Sequence, residues 1–117
     1  MIGPPPGTRV FLACGVTDMR RGFDSLSAQV ESVLNLDPYG GAVFIFRGRR
    51  GDLLKCLYWD GQGLVLYAKR LEKGRFVWPQ AKEGTVSLTA AQMSMLVEAI
   101  DWRQPVWTAR PQTEIQV

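Results

Sequence analysis

The chain of 117 residues contains no histidine. That absence removes serine–histidine and cysteine–histidine nucleophilic catalysis, histidine proton shuttling and most zinc chemistry. Only two cysteines are present, Cys14 and Cys56. They make no disulfide framework, and without histidine they cannot complete a structural zinc site. Both lie in apolar stretches, so they are expected to be reduced and buried. No apolar run approaches the ~20 residues of a membrane-spanning helix. The opening Met1-Ile-Gly-Pro-Pro-Pro-Gly7 has neither a basic nor an apolar signal region, so it does not read as a secretory signal. A cytoplasmic protein is the resulting expectation. Walker loops, nucleophile elbows, dinucleotide fingerprints and internal repeats are also missing.

What is present fits one folded domain. Hydrophobic residues make up 46% of the chain and the net charge is only +3, so general disorder is excluded. Residues 1–7 read as a flexible, proline-rich leader, 8–103 as a single domain, and 104–117 as a tail. Strands are expected over Arg9–Cys14, Ala42–Arg47, Asp52–Trp59, Gly63–Arg70 and, briefly, Arg75–Trp78. Gly48-Arg-Arg-Gly51, Asp60-Gly-Gln-Gly63 and Leu71-Glu-Lys-Gly74 are turn signals between them.

Two helices complete the reading. Phe23, Leu26, Val30, Val33 and Leu34 recur at helical spacing, which predicts an amphipathic helix over roughly 22–35. Thr17-Asp18 offers a turn or helix-start signal before it. Thr89-Ala-Ala-Gln92 has the form of a capping box, with Leu88 and Met93 placed for a hydrophobic staple. A second helix over about 90–101 follows. Leu26, Val30, Met93, Leu96 and Ile100 are the expected core of the two helices. The predicted fold is α+β: an antiparallel β-meander sheet of about five strands with two amphipathic helices packed on it.

Charge is unevenly placed along this plan. Residues 47–75 hold eight basic residues against Asp52, Asp60 and Glu72, an excess of five, while the flanking segments are each slightly acidic. Arginine outnumbers lysine ten to four. The planar guanidinium suits bidentate phosphate and guanine contacts. Arg47, Arg49, Arg50, Lys69, Arg70, Lys73 and Arg75 are therefore the candidate nucleic-acid-binding residues. Tyr58, Trp59, Tyr67, Phe76 and Trp78 interleave with cations of this region. They suit either base stacking on an exposed sheet or an inward-facing core, and period-two patterning does not separate the two. Asp18, Asp24, Asp52 and Asp60 are the carboxylates a metal-dependent nuclease would need. Turn formation and helix-dipole placement account for them without a metal. No cofactor is expected.

Several motifs stand in an order that resembles a known family. They are Thr17-Asp-Met-Arg-Arg-Gly-Phe-Asp24, Val43-Phe-Ile-Phe-Arg-Gly-Arg-Arg-Gly-Asp52, Leu57-Tyr-Trp-Asp-Gly61 and Tyr67-Ala-Lys-Arg-Leu-Glu-Lys-Gly-Arg-Phe-Val-Trp-Pro79, then Leu88-Thr-Ala-Ala-Gln-Met93 with Ile100-Asp-Trp102. Together they resemble the TnpB accessory proteins encoded by the second reading frame of IS66-type bacterial insertion sequences. The resemblance covers about residues 8–103. It implies an accessory role in transposition beside a separate transposase that carries the acidic catalytic triad. It does not extend to the longer RNA-guided nuclease that shares the gene name. No catalytic residue is carried over. The expected partners are element DNA, the separate transposase, or both, and no membrane. The alternatives are a purely protein-binding module and, third, the metal-dependent nuclease.

Overall fold

The computed structural model describes residues 4–103. The tail expected over 104–117 and the start of the leader lie outside the described residues. Seven elements follow in order: β1 (Val10–Val16), α1 (Phe23–Ser32), β2 (Val43–Arg47), β3 (Leu53–Trp59), β4 (Leu64–Arg70), β5 (Thr85–Leu88) and α2 (Ala90–Val97). They form an α+β fold around one five-stranded sheet of order β4-β3-β2-β1-β5.

The sheet is mixed, which corrects the expected pure meander. β2, β3 and β4 are antiparallel neighbours, as their short turns dictate. β1, however, runs parallel to β2, with Val10 opposite Val43 and Leu12 opposite Ile45. Parallel neighbours need a crossover, and α1 supplies it. β5 then adds antiparallel to the other side of β1, Val10 facing Leu88. The short strand expected at Arg75–Trp78 is not a strand. Its Phe76 N–H bonds to the Gly51 carbonyl at 3.0 Å outside any ladder. The fifth strand is instead Thr85–Leu88, announced by Gly84 at φ 81° and the Val86/Leu88 alternation.

Each face of the sheet carries its own core. Val10, Leu12, Cys14, Val43, Ile45, Leu54 and Cys56 point to one face, where Phe76, Met93, Leu96, Val97 and Trp102 cover them. Ala13, Phe44, Phe46 and Leu57 point to the other, under Leu26 and Val30 of α1. A sheet buried on both faces explains why β2 reads Val-Phe-Ile-Phe without alternation. Half-buried Tyr58, Tyr67 and Trp78 pack on the α2-side cluster and Phe76 is buried in it. The aromatics of the basic region thus serve chiefly as core.

Helix ends follow local chemistry. The capping box forms as its residues require: Gln92 N–H donates to Thr89 Oγ1 at 3.0 Å and Thr89 N–H donates to Gln92 Oε1 at 2.8 Å. α1 starts at Gly22 without a side-chain cap. Both helices stop earlier than their apolar spacing implies. Asn35 at φ 56° and Ala99 at φ 60° turn the chain into the left-handed region just after them. Consequently Ile100, expected in the core, is 53% exposed, whereas Leu26, Val30, Met93 and Leu96 are fully buried.

Two outcomes test this packing. Replacing Leu96, which has no exposed surface, with Ala should cost about 2–5 kcal/mol in chemical denaturation. Ile100→Ala should cost far less. Cys56 gives a pH test. Burial pushes its thiol up to about 12. The unfolded thiolate forms at lower pH than the folded one, so the unfolded state sheds its proton first. Stability from this residue is intact at neutral pH and is lost as pH rises from about 9 towards 12, by roughly 1.4 kcal/mol per unit. Cys56→Val should remove that part of the alkaline slope in denaturation measured across this range.

Candidate functional site

The parallel pair fixes where the charge gathers. Because β1 and β2 run the same way, their carboxyl ends, Val16 and Arg47, lie at one end of the sheet. Ligands of sheets with parallel strands collect at this end. The loop leaving β1 and the tight turn leaving β2 form two walls of a cleft of about 990 Å³. Five arginines line it: Arg20 and Arg21 from the first wall, Arg49 and Arg50 from the second, and Arg70 from the end of β4. Asp18 and Asp52 are its acidic residues, so the lining holds an excess of three positive charges among the described residues.

Each wall is held from behind. Lys55 of β3 sends its ammonium to the Met19 carbonyl at 2.7 Å and the Arg21 carbonyl at 2.9 Å. The charge of Lys55 is therefore spent on fixing the first wall. Thr17, buried, donates its N–H to the Arg47 carbonyl at 2.9 Å and ties the walls together at their base. The second wall is pinned through Gly51, whose carbonyl accepts from Phe76 N–H and from Trp78 Nε1–H, both at 3.0 Å. Gly51 sits at φ 80°, and a Cβ there would lie 3.1 Å from Arg75 Cδ and 3.2 Å from Trp78 Nε1. The left-handed backbone favours glycine, and any Cβ would oblige Arg75 or Trp78 to shift by a few tenths of an ångström.

The arginines differ in how free they are. Arg20 makes a two-pronged pair with Asp18, Nη2 to Oδ2 at 2.8 Å and Nε to Oδ1 at 3.0 Å. Its backbone N–H donates to the same carboxylate at 3.0 Å. These hydrogen bonds hold the Asp18 carboxyl well below the usual carboxylate range. Arg50 lies 3.5 Å from Asp52 in a looser pair. Arg49 and Arg70 have no acidic partner within salt-bridge distance among the described residues and are exposed.

The seven residues singled out by sequence divide accordingly. Arg49, Arg50 and Arg70 meet in the cleft. Arg47 lies behind it on the α2 side, its guanidinium 5.2 Å from the centre of the Trp78 ring and its Nε donating to the Gly48 carbonyl. Burial and the neighbouring charge of Arg75 lower its pKa. Arg75 belongs to this same rear group, beside Gly51. Lys73 is exposed in the 71–74 turn. Lys69 points to the α2 face, where its ammonium caps the Val97 carbonyl at 2.8 Å and lies 3.8 Å from Glu98. Arg20 and Arg21 were not singled out, because charge counted along the chain puts them in a slightly acidic segment. The doublet Met19-Arg-Arg-Gly22 between a strand and a helix was the available signal.

The four candidate carboxylates do not assemble. Asp60 lies in the β3–β4 turn at the other end of the sheet, accepting from Gln62 and Gly63 N–H groups at 2.9 and 2.8 Å. Asp24 is in the first turn of α1. Among the described residues no three of Asp, Glu, Cys or His come together as metal ligands. No described helix is long and apolar enough to cross a membrane.

Comparison with known proteins places this architecture. The model of the IS66 Orf2-like proteins matches residues 8–107. The chain belongs to that family. An uncharacterized protein, y4hO, of Sinorhizobium fredii (strain NBRC 101917 / NGR234) is 50% identical over 111 residues, covering 95% of this chain and 96% of the relative. A second from the same strain, y4jC, is 44% identical over 110 residues, covering 91% and 94%. No solved structure matches significantly. The IS66 Orf2-like match spans every element from β1 to α2, so both walls of the cleft lie inside the family domain. This chain is thus an insertion-sequence-associated protein of the accessory type.

Gly51→Ala tests the pinned wall. It should destabilise the fold by at least about 1–2 kcal/mol from the left-handed backbone alone, with added cost from the crowded Arg75 and Trp78. Gly61→Ala, at φ 98° in open space, should carry only the first part. Equal melting shifts for the two would show that the wall yields.

Proposed function

We propose that this protein is a non-catalytic accessory factor of insertion-sequence transposition that binds element DNA through the basic end of its sheet. The observation that supports this reading most is the convergence of five arginines, from three separate segments, in one open cleft. Family membership supports the transposition context. Lys73, Arg75 and Arg47 extend positive charge around the same end of the sheet. Of the four candidate carboxylates only Asp18 and Asp52 line the cleft, and no three ligand side chains gather among the described residues, which speaks against the nuclease alternative, since two-metal chemistry needs carboxylates gathered about ions roughly 3.5–4 Å apart. The transposase is the second proposed partner, reached through the same charged end or on DNA already bound.

A salt series tests the reading. Each phosphate neutralised contributes a slope near −0.9 in log affinity against log salt, so about four contacts give about −3.6. Changing Arg49 and Arg50 together to Ala should flatten that slope by up to about 2 and weaken binding to all sequences alike. DNA incubated with the protein and magnesium or manganese should stay intact. Salt-independent binding, or binding only when transposase is present, would assign the arginines to a protein interface. Cleavage abolished by Asp18→Ala or Asp52→Ala would establish the nuclease.

A further inference from the structure

Resting on the DNA-binding reading, we infer that the cleft grips the phosphates of one duplex strand without reading bases, and that Asp18 and Asp52 restrain this grip. Three observations lead there. The first is shape. The major groove admits a helix or a two-stranded ribbon that inserts between the backbones. Here the arginines line a concavity, and the turn carrying Arg49 and Arg50 is fixed from behind through the Gly51 carbonyl. A concave site receives the convex part of a duplex, which is its sugar–phosphate backbone.

The second is composition. Among the described residues the lining contains no aromatic residue and no Asn or Gln. It lacks the stacking platforms that hold single strands and the amides that pair with adenine. The third is the state of the arginine forks. Arg20 uses its Nε and Nη2 on the two Asp18 oxygens, so one edge of its fork is held by a carboxylate and only the Nη1–Nη2 edge faces outward ligands. Arg21, Arg49 and Arg70, without acidic partners among the described residues, are the primary phosphate ligands, Arg21 making only a 3.5 Å contact to Gln29 Oε1. Asp18 and Asp52 then act as internal competitors: each holds an arginine and repels the incoming phosphate. This assigns the two carboxylates a sign opposite to that of a metal ligand or a cytosine acceptor.

The test uses the full chain and short duplexes of several unrelated sequences, with the corresponding single strands and inorganic tripolyphosphate as separate probes. Asp18→Asn keeps an acceptor for the Arg20 N–H, so the loop retains its turn, and melting curves verify folding. Asp18→Asn and Asp52→Asn should each raise duplex affinity roughly two- to fivefold at low salt, with the gain fading as salt rises. Arg49→Gln and Arg70→Gln should each cut the salt slope by about 1, equally for every sequence. Weaker binding by folded Asp18→Asn, or a loss confined to one sequence, would overturn the inference while leaving DNA binding in place. Tighter binding to single strands, or tripolyphosphate held as tightly as duplex, would also overturn it. Absence of DNA binding by the unaltered protein would remove the parent reading and this inference together.

Discussion

The parallel register of β1 on β2 is the constraint from which the rest of the structure follows. An antiparallel neighbour would send the loop after β1 to the far end of the sheet, away from the turn after β2. Parallel pairing requires a crossover long enough for a helix, and α1 fills that role while covering one face of the sheet. The same pairing brings Arg20 and Arg21 opposite Arg49 and Arg50. Gathering like charge costs energy, and the fold offsets it locally. Asp18 neutralises Arg20, Asp52 partly neutralises Arg50, and the Trp78 ring takes Arg47.

Local chemistry made much of the fold legible. Gly48–Gly51 and Asp60–Gly63 fixed the three-stranded meander, and the Thr89–Gln92 box fixed the start of α2. Strand direction was not legible at β1, because a helical connection between two strands is compatible with either orientation. Arg75–Trp78 has the composition of a strand but Phe76 and Trp78 donate to one carbonyl, that of Gly51, and the Val77 carbonyl accepts from the Trp102 indole. Thr85–Leu88 is short and polar on one side, and only its pairing with β1 makes it a strand. Ile100 continued the apolar period, yet the backbone reversal at Ala99 ended the helix first.

The candidate site was legible in kind more than in membership. A basic turn of two arginines cannot be core, and Arg49 and Arg50 do line the cleft. Two of the lysines have structural roles of their own. Lys55 and Lys69 add to the formal charge of the central segment, but both ammonium groups are bonded to backbone carbonyls, one bracing a loop and one capping a helix. The arginine pair before α1 joined the site only through tertiary placement. Formal charge along a chain therefore overstates some cations and misplaces others.

The interior position of β1, between β2 and β5, has a kinetic meaning. Its Val10 is registered with Val43 on one side and with Leu88 on the other, so its two neighbours come from distant parts of the chain. The β2–β3–β4 ribbon can form from local contacts as it is synthesised. The opposite edge of β1 must wait for β5, and the core beneath α2 must wait for Met93, Leu96 and Trp102. Contacts of such sequence separation slow folding, because loop-closure entropy is lost before they form. Until then β1 presents an open, apolar edge, which is the surface most exposed to mispairing in a nascent chain. Chains arrested before β5 would leave the ribosome with the arginine-bearing walls already in place and half of the hydrophobic core uncovered.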